Sequence, residues 1–354
     1  MKKIILTGGG TAGHVTPHLA LLPALKEAGF EVHYIGSHSG MERELVQKAG
    51  LTYHPIYSGK LRRYLDVRNL TDLFRVARGL GGSLRILRRL KPDLLFSKGG
   101  FVTVPVVLAA KILGIPCVIH ESDLTPGLAN RLAAPFAKKI CTAFPETLTR
   151  IPEKKGVLTG IPIRGELLTG TRAKGLALCG FPNADRPVLL VTGGSQGAAA
   201  INACLRGTLP PLLKKYRVIH LCGMGNQMST PHDAFFGYAQ FEYVQEGLAD
   251  LYAAADIVLS RAGAGTLFEL LAMKKPHLLI PLSREASRGD QIDNAASFAK
   301  RGFSAVLPEE DMTPERLLTE INALYKSRHD YINAMTAQEN TNGIERVMAV
   351  LLNK

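Results

Sequence analysis

Four stretches of the chain carry residue types and spacings suited to an anionic, hydroxyl-rich ligand. Gly8-Gly9-Gly10-Thr11-Ala12-Gly13-His14 follows a short apolar run, Ile4 to Thr7, and leads into a helix start signalled by Thr16-Pro17. Glycines let a backbone approach a ligand closely, and the unpaired amides of a helix start attract anions. His14 ends that loop, where an imidazole can accept a proton from a sugar hydroxyl near neutral pH; the alternative is a histidine that packs on the turn.

Gly193-Gly194-Ser195-Gln196-Gly197-Ala198 repeats the arrangement, with Asn202 a helical turn further on. Ser195 and its flanking amides suit a diphosphate at the positive end of a helix. In Arg261-Ala262-Gly263-Ala264-Gly265-Thr266-Leu267-Phe268-Glu269, the arginine can stand near phosphates and the glutamate can accept from ribose hydroxyls. Asp290-Gln291-Ile292-Asp293-Asn294-Ala295 supplies carboxylate and amide groups fitted to sugar hydroxyls, unless it is an ordinary helix N-terminus.

These stretches need a scaffold, and the apolar runs indicate which. Ile4 to Thr7, Val32 to Ile35, Leu94 to Ser97, Cys117 to His120, Val188 to Thr192, Val218 to Leu221, Ile257 to Ser260 and Leu278 to Pro281 alternate with glycine turns and helix-length segments. That alternation is the signature of an α/β fold with parallel sheets. The chain also repeats itself: Asp93-Leu94-Leu95-Phe96-Ser97-Lys98-Gly99-Gly100 matches Asp256-Ile257-Val258-Leu259-Ser260-Arg261-Ala262-Gly263 in pattern. Two Rossmann-like domains are expected, residues 1–162 and 163–340, with a C-terminal helix at about 341–354 returning to the first. The interdomain cleft is the expected active site.

The 354 residues and 46% hydrophobic content suit two domains, and no stretch approaches the ~18 apolar residues of a spanning helix. Five cysteines without C-x-x-C spacing read as free thiols, with no structural zinc. The net charge of +13 favours anionic partners. Its densest part, Lys60 to Lys91, sets ten lysines and arginines against Asp66 and Asp72, interleaved with leucines and Phe74. An amphipathic helix broken at Gly79 to Gly82 is expected there, with Arg75, Arg78, Arg85 and Arg88 on an anionic membrane face. Few aromatics interleave the charges, which argues against nucleic acid as a partner.

Taken together, Gly8 to His14, His120-Glu121 with Pro126 to Arg131, Gly160 to Arg164, Gly193 to Ala198, Arg261 to Glu269 and Gln291 to Ala295 resemble, in order, the MurG family. These are the lipid I N-acetylglucosaminyltransferases of bacterial peptidoglycan synthesis. The resemblance implies a GT-B fold, inverting transfer from UDP-N-acetylglucosamine to the muramoyl 4-hydroxyl of lipid I, and work at the cytoplasmic face of the cell membrane as a peripheral protein. It implies no required cofactor or metal, and it allows cell-wall synthesis proteins as further partners. His14 is the implied base. Thr11, Gly13, Asp123, Arg164, Ser195, Gln196, Ala264, Glu269, Asp290 and Gln291 are implied at the donor, and Gly13, His14, Glu121 and Asn130 at the acceptor. Ser122-Asp123 and Asp290 depart from the family's usual Gln-Asn and Gln. Competing readings are a GT-B enzyme that glycosylates another membrane lipid, a UDP-N-acetylglucosamine epimerase, which needs no acceptor, and a non-catalytic membrane-bound scaffold.

Overall fold

Ile4-Ile5-Leu6, Leu94-Leu95-Phe96, Leu189-Leu190-Val191 and Ile257-Val258-Leu259 are buried along their whole length, as continuous apolar strands must be when helices cover both faces of a parallel sheet. The computed structural model describes residues 2–59, 68–181, 185–194, 197–228, 236–244, 246–338 and 341–353, without the side chains of residues 12 and 68–73. Two units emerge, Met1–Arg164 with Asn342–Lys354, and Gly165–Thr341.

The first unit holds β1 (Lys2–Thr7), β2 (Phe30–Ser37), β3 (Thr52–Ile56), β4 (Leu94–Ser97), β5 (Cys117–Glu121), β6 (Lys139–Thr142) and β7 (Gly156–Leu158), in the order β3-β2-β1-β4-β5-β6-β7. The second holds β8 (Val188–Thr192), β9 (Arg217–Leu221), β10 (Tyr238–Phe241), β11 (Ile257–Ser260), β12 (His277–Leu279) and β13 (Ser304–Val306), in the order β10-β9-β8-β11-β12-β13. Every described pairing is parallel. The strand order reverses direction between β1 and β4, and again between β8 and β11. These are the topological switch points, outside which open α/β sheets bind ligands. The repeat seen in the sequence has a common structural job: Asp93 accepts from Lys3 N at 2.8 Å, and Asp256 accepts from Val188 N at 2.7 Å. Each aspartate thereby joins the fourth strand of its unit to the first.

Helices in the first unit are α1 (Thr16–Glu27), α2 (Glu42–Lys48), α3 (Arg68–Leu90), α4 (Thr103–Ile112) and α5 (Leu128–Ala133). The second has α6 (Arg172–Leu178), α7 (Ala199–Leu213), α8 (Leu248–Ala254), α9 (Ala264–Ala272), α10 (Asp290–Lys300), α11 (Pro314–Lys326) and α12 (Arg328–Ala337). The last helix, α13 (Ile344–Leu352), belongs to the first unit, where Val347, Met348 and Leu351 enter the core beside Leu21 and Leu25. Asn342 ties its start down, accepting from Ile163 N at 3.1 Å and donating to Ile163 O at 3.2 Å.

One expectation is corrected. The basic segment is not broken at Gly79 to Gly82, since α3 runs unbroken from Arg68 to Leu90. Gly79 is buried, and a Cβ there would collide with the carbonyl oxygen of Tyr57. Its glycine thus serves helix-to-loop packing, which outweighs the ~1 kcal/mol that glycine costs a helix interior. Leu80, Leu84, Leu87 and Leu90 pack inward, while Arg75, Arg78, Arg85 and Arg88 are exposed with Phe74. Lys60 to Val67, the start of the expected basic region, lies outside the described residues.

Candidate active site

At the first switch point the loops after β1 and β4 touch. Gly100 has φ +89°, and a side chain there would strike the carbonyl of Gly9, so only glycine meets both demands. The β1 loop is steadied from beneath by Glu42, which is wholly buried and accepts from Ser37 N at 3.0 Å, Ser37 Oγ at 2.5 Å and Gly10 N at 3.4 Å. A single turn of 3-10 helix, Ala12–His14, then presents His14, half-buried, just before α1. Its Nδ1 lies 2.8 Å from Gly9 O and 3.2 Å from Thr11 Oγ1. A carbonyl can only accept, so Nδ1 carries the hydrogen and Nε2 the lone pair, the tautomer a general base requires. Thr11 and Gly13 are exposed on the same turn.

Beneath this loop lies a buried polar cluster that sequence reasoning missed in part. Lys98, 1% exposed, follows β4 and places Nζ 2.8 Å from His120 Nδ1 and 2.5 Å from Ser122 Oγ. His120 Nε2 donates to Gly160 O at 2.8 Å, which leaves Nδ1 to accept from the lysine. Burial pulls the Lys98 amine down to about 7, and burial with the nearby Lys98 charge drives the His120 imidazole well below its ordinary range. His18, wholly buried against Tyr34 and Phe96, is likewise lowered by burial, then by Lys98 and His14. A lysine before two glycines reads as solvated; the clue was its alignment with Arg261 in the internal repeat.

Glu121 and Asn130, implied at the acceptor, are both buried and shape the turn after β5. The Glu121 carboxylate accepts from Asp123 N at 3.0 Å, Gly127 N at 2.9 Å and Asn130 Nδ2 at 2.9 Å. Burial, followed by the Asp123 charge, raises its carboxyl above the usual range. Asp123 itself is half-buried on that turn, and Arg164 is half-buried at the end of the first unit. Thr7 Oγ1, Thr142 Oγ1, His18 Nε2 and Asn130 Oδ1 are buried without a hydrogen-bond partner among the described residues. Native folds keep such groups scarce, so four at one end of a sheet mark a functional region.

The second unit builds its switch point from the same parts. Gly197, φ +75°, packs against the carbonyl of Cys222 and leads through Ala198 into α7. Ser195 and Gln196, expected at the donor, lie outside the described residues. Asn202 is structural: it donates to Cys222 O at 2.8 Å and meets His220 Nε2 at 2.9 Å through Oδ1. The starts of α7, α9 and α10 carry no side-chain cap, so their amide ends can serve an anion. Ala264 opens α9, and Glu269 is half-buried further along it. Gln291 Oε1 accepts from Ala262 N at 3.3 Å and Leu282 N at 3.1 Å, joining the loops before α9 and α10, while Asp290 pairs with Arg288 at 2.7 Å. Arg261 is held by Glu309 and donates to Ile280 O at 3.1 Å, so it braces β12. No His, Cys, Asp and Glu cluster among the described residues could hold a metal, and no described helix is long and apolar enough to cross a membrane.

Two Rossmann-like parallel sheets, each with ligand-type loops at its switch point, are the GT-B architecture of nucleotide-sugar glycosyltransferases. Comparison with known proteins agrees. The Glycosyltransferase family 28 N-terminal domain matches residues 4–142, and the corresponding C-terminal domain matches residues 188–350. A relative from Lachnospira eligens, named UDP-N-acetylglucosamine--N-acetylmuramyl-(pentapeptide) pyrophosphoryl-undecaprenol N-acetylglucosamine transferase, is 56% identical over 99% of both chains. One of the same name from Clostridium kluyveri is 57% identical over 97% of this chain and 98% of its own. The crystal structure of Acinetobacter baumannii MurG superposes with TM-score 0.78 at 27% identity, covering 100% of each chain. This chain belongs to glycosyltransferase family 28 and, within it, to the MurG family.

Proposed function

We propose that the chain transfers N-acetylglucosamine from UDP-N-acetylglucosamine to the 4-hydroxyl of the muramoyl sugar of lipid I, in peptidoglycan synthesis. The observation that carries this reading is the 56% and 57% identity, over nearly the whole chain, to relatives named for that transfer. The tautomer of His14 supports its role in the first unit: Nε2 takes the proton of the attacking hydroxyl, and the hydroxyl oxygen bonds to the anomeric carbon. The bond from that carbon to the UDP oxygen breaks, the electron pair leaves with the diphosphate, and the sugar inverts to a β-1,4 link. The charge that develops on UDP is met by the uncapped starts of α7, α9 and α10 and by Arg164.

Glu269 holds the ribose, Ala264 and the Ser195-Gln196 loop meet the diphosphate, and Asp290 with Gln291 Nε2 faces the sugar. Thr11, Gly13 and Asp123 complete the donor contacts. Glu121 and Asn130 serve the acceptor by shaping the turn after β5. UDP-N-acetylglucosamine is a substrate in this reading, which includes no separate cofactor. The exposed arginines of α3 and Phe74 hold the protein peripherally on the anionic cytoplasmic face of the membrane, where cell-wall synthesis proteins are further partners.

The test is transfer of labelled N-acetylglucosamine to lipid I in detergent, beside diacylglycerol and no-acceptor controls. Lipid-I-dependent product supports the proposal. Product on diacylglycerol alone, or sugar turnover without acceptor, would replace it with one of the competing readings.

A further inference from the structure

A buried lysine and a half-buried arginine occupy matching places in the two units. Lys98 follows β4 and Arg261 follows β11, the strands that flank each switch point, and each reaches toward the end of the next strand in its sheet. Arg261 reaches the carbonyl of Ile280, just past β12, and is neutralised by Glu309. Lys98 meets side chains instead, His120 Nδ1 at 2.8 Å and Ser122 Oγ at 2.5 Å, at the end of β5. Because Gly160 O fixes His120 Nε2 as a donor, both bonds run outward from the amine. Ser122 opens the turn of residues 122–127 that Glu121 grips at Asp123 N and Gly127 N. One turn is thus held from one side by a buried cation and from the other by a buried carboxylate.

We propose that Lys98 is a positioning residue for the acceptor: by clamping Ser122 Oγ against His120 it fixes the turn of residues 122–127 in the form that receives lipid I. The inference rests on the proposed transfer to lipid I. The titratable groups facing Lys98 are His18 from α1, His120 and Glu121 from β5, Asp123 from the turn and Cys141 from β6. With the amine held at about 7, its charge is lost above neutral pH, and a neutral amine is the weaker donor. The clamp therefore loosens as pH rises.

The experiment is steady-state transfer by the wild type, Lys98→Met, Ser122→Ala and the double variant, with both substrates varied at about pH 6 and about pH 9 and melting temperatures measured alongside. Lys98→Met is expected to raise the lipid I KM ~10-fold with kcat within ~2-fold of wild type, and to raise the donor KM less than the lipid I KM, through Asp123 on the same turn. The double variant should be no worse than Lys98→Met within ~2-fold, because both changes break one clamp. The wild-type lipid I KM should rise between the two pH values, and that of Lys98→Met should not. An unchanged lipid I KM, a loss confined to kcat, or additive losses would overturn the proposal. If Lys98→Met does not fold, Ser122→Ala decides, since it keeps the amine; an unchanged lipid I KM there overturns the clamp. A wild type that makes no product on lipid I rejects the acceptor reading itself.

Discussion

Replacing Glu121 by glutamine changes one oxygen to an amide nitrogen at constant shape. Its two oxygens now take three donors: Asp123 N at Oε1, and Gly127 N with Asn130 Nδ2 at Oε2. The glutamine does least harm with its new NH2 group toward Asp123 N, leaving that amide facing a donor and weakening the other two bonds by loss of charge. A buried orphaned donor costs roughly 1–3 kcal/mol. Part of this is offset, because burial already disfavours the carboxylate, as its raised carboxyl shows. A net loss of about 1–2 kcal/mol in unfolding free energy follows for Glu121→Gln. Glu121→Ala, which orphans all three donors, should lose about 3–5 kcal/mol.

The pH dependence has a definite sign. A carboxyl raised in the folded state binds its proton more tightly there than in the unfolded chain, so its contribution to stability falls as pH rises from the ordinary carboxylate range to the folded value. Glu121→Gln removes that slope. Urea unfolding across mildly acidic pH, with lipid I kinetics on the same samples, measures both effects. A Glu121→Gln protein as stable as wild type, with the same pH slope and the same lipid I KM, would refute the claim that this carboxylate builds the turn.

His220 and His277, both buried, are pulled down to about 4 by burial. The unfolded chain therefore binds more protons than the folded chain between pH ~6.5 and pH ~4, and each residue's stabilising contribution, full above pH ~6.5, drains away by ~3 kcal/mol across that window. Urea unfolding at mildly acidic pH checks this, and stability independent of pH there would contradict it. Gly79→Ala should destabilise by ~1–3 kcal/mol despite alanine's higher helix propensity, because its Cβ meets Tyr57 O; a raised melting temperature would show that the contact yields. Replacing Arg75, Arg78, Arg85 and Arg88 together with glutamine should weaken binding to anionic vesicles by ~1 kcal/mol per charge and reduce its salt dependence, which vesicle sedimentation reads.

The strands of strongest apolar character were legible: β4, β8 and β11 run from Leu94 to Ser97, Val188 to Thr192 and Ile257 to Ser260, as the sequence reading places them. Several others escaped it. β3 is an edge strand containing Pro55, β6 and β10 have four residues each, and β7 and β13 have three. Their runs, such as Lys139-Ile140-Cys141-Thr142 and Tyr238-Ala239-Gln240-Phe241, are less continuously apolar than the equally short β4 and β11, so their neighbours define them more than their own pattern does. Tertiary contact also decided the helix through Gly79, which local propensity reads as a break, and the partner of Arg261, which lies far along the chain at Glu309.

At the site, the loop ending in His14 was legible as a strand-to-helix turn, because Gly8 to Gly10 follow an apolar run and Thr16-Pro17 signal a helix start. The frame behind it was not. Lys98 and Glu42 look solvated in sequence and Glu121 is implied at the acceptor, and only the fold shows all three buried and holding turns. Asn202, which the sequence sets one helical turn beyond a diphosphate-type loop, is also part of the frame: its amide pins the β9 loop at Cys222.

The most direct test of the site is single-turnover transfer to lipid I by wild type and His14→Gln, with UDP binding measured on the same preparations. If His14 Nε2 is the base, His14→Gln should transfer ~10²–10⁴-fold more slowly, with UDP affinity within ~2-fold of wild type. Transfer by His14→Gln at the wild-type rate would contradict the account and move the base elsewhere.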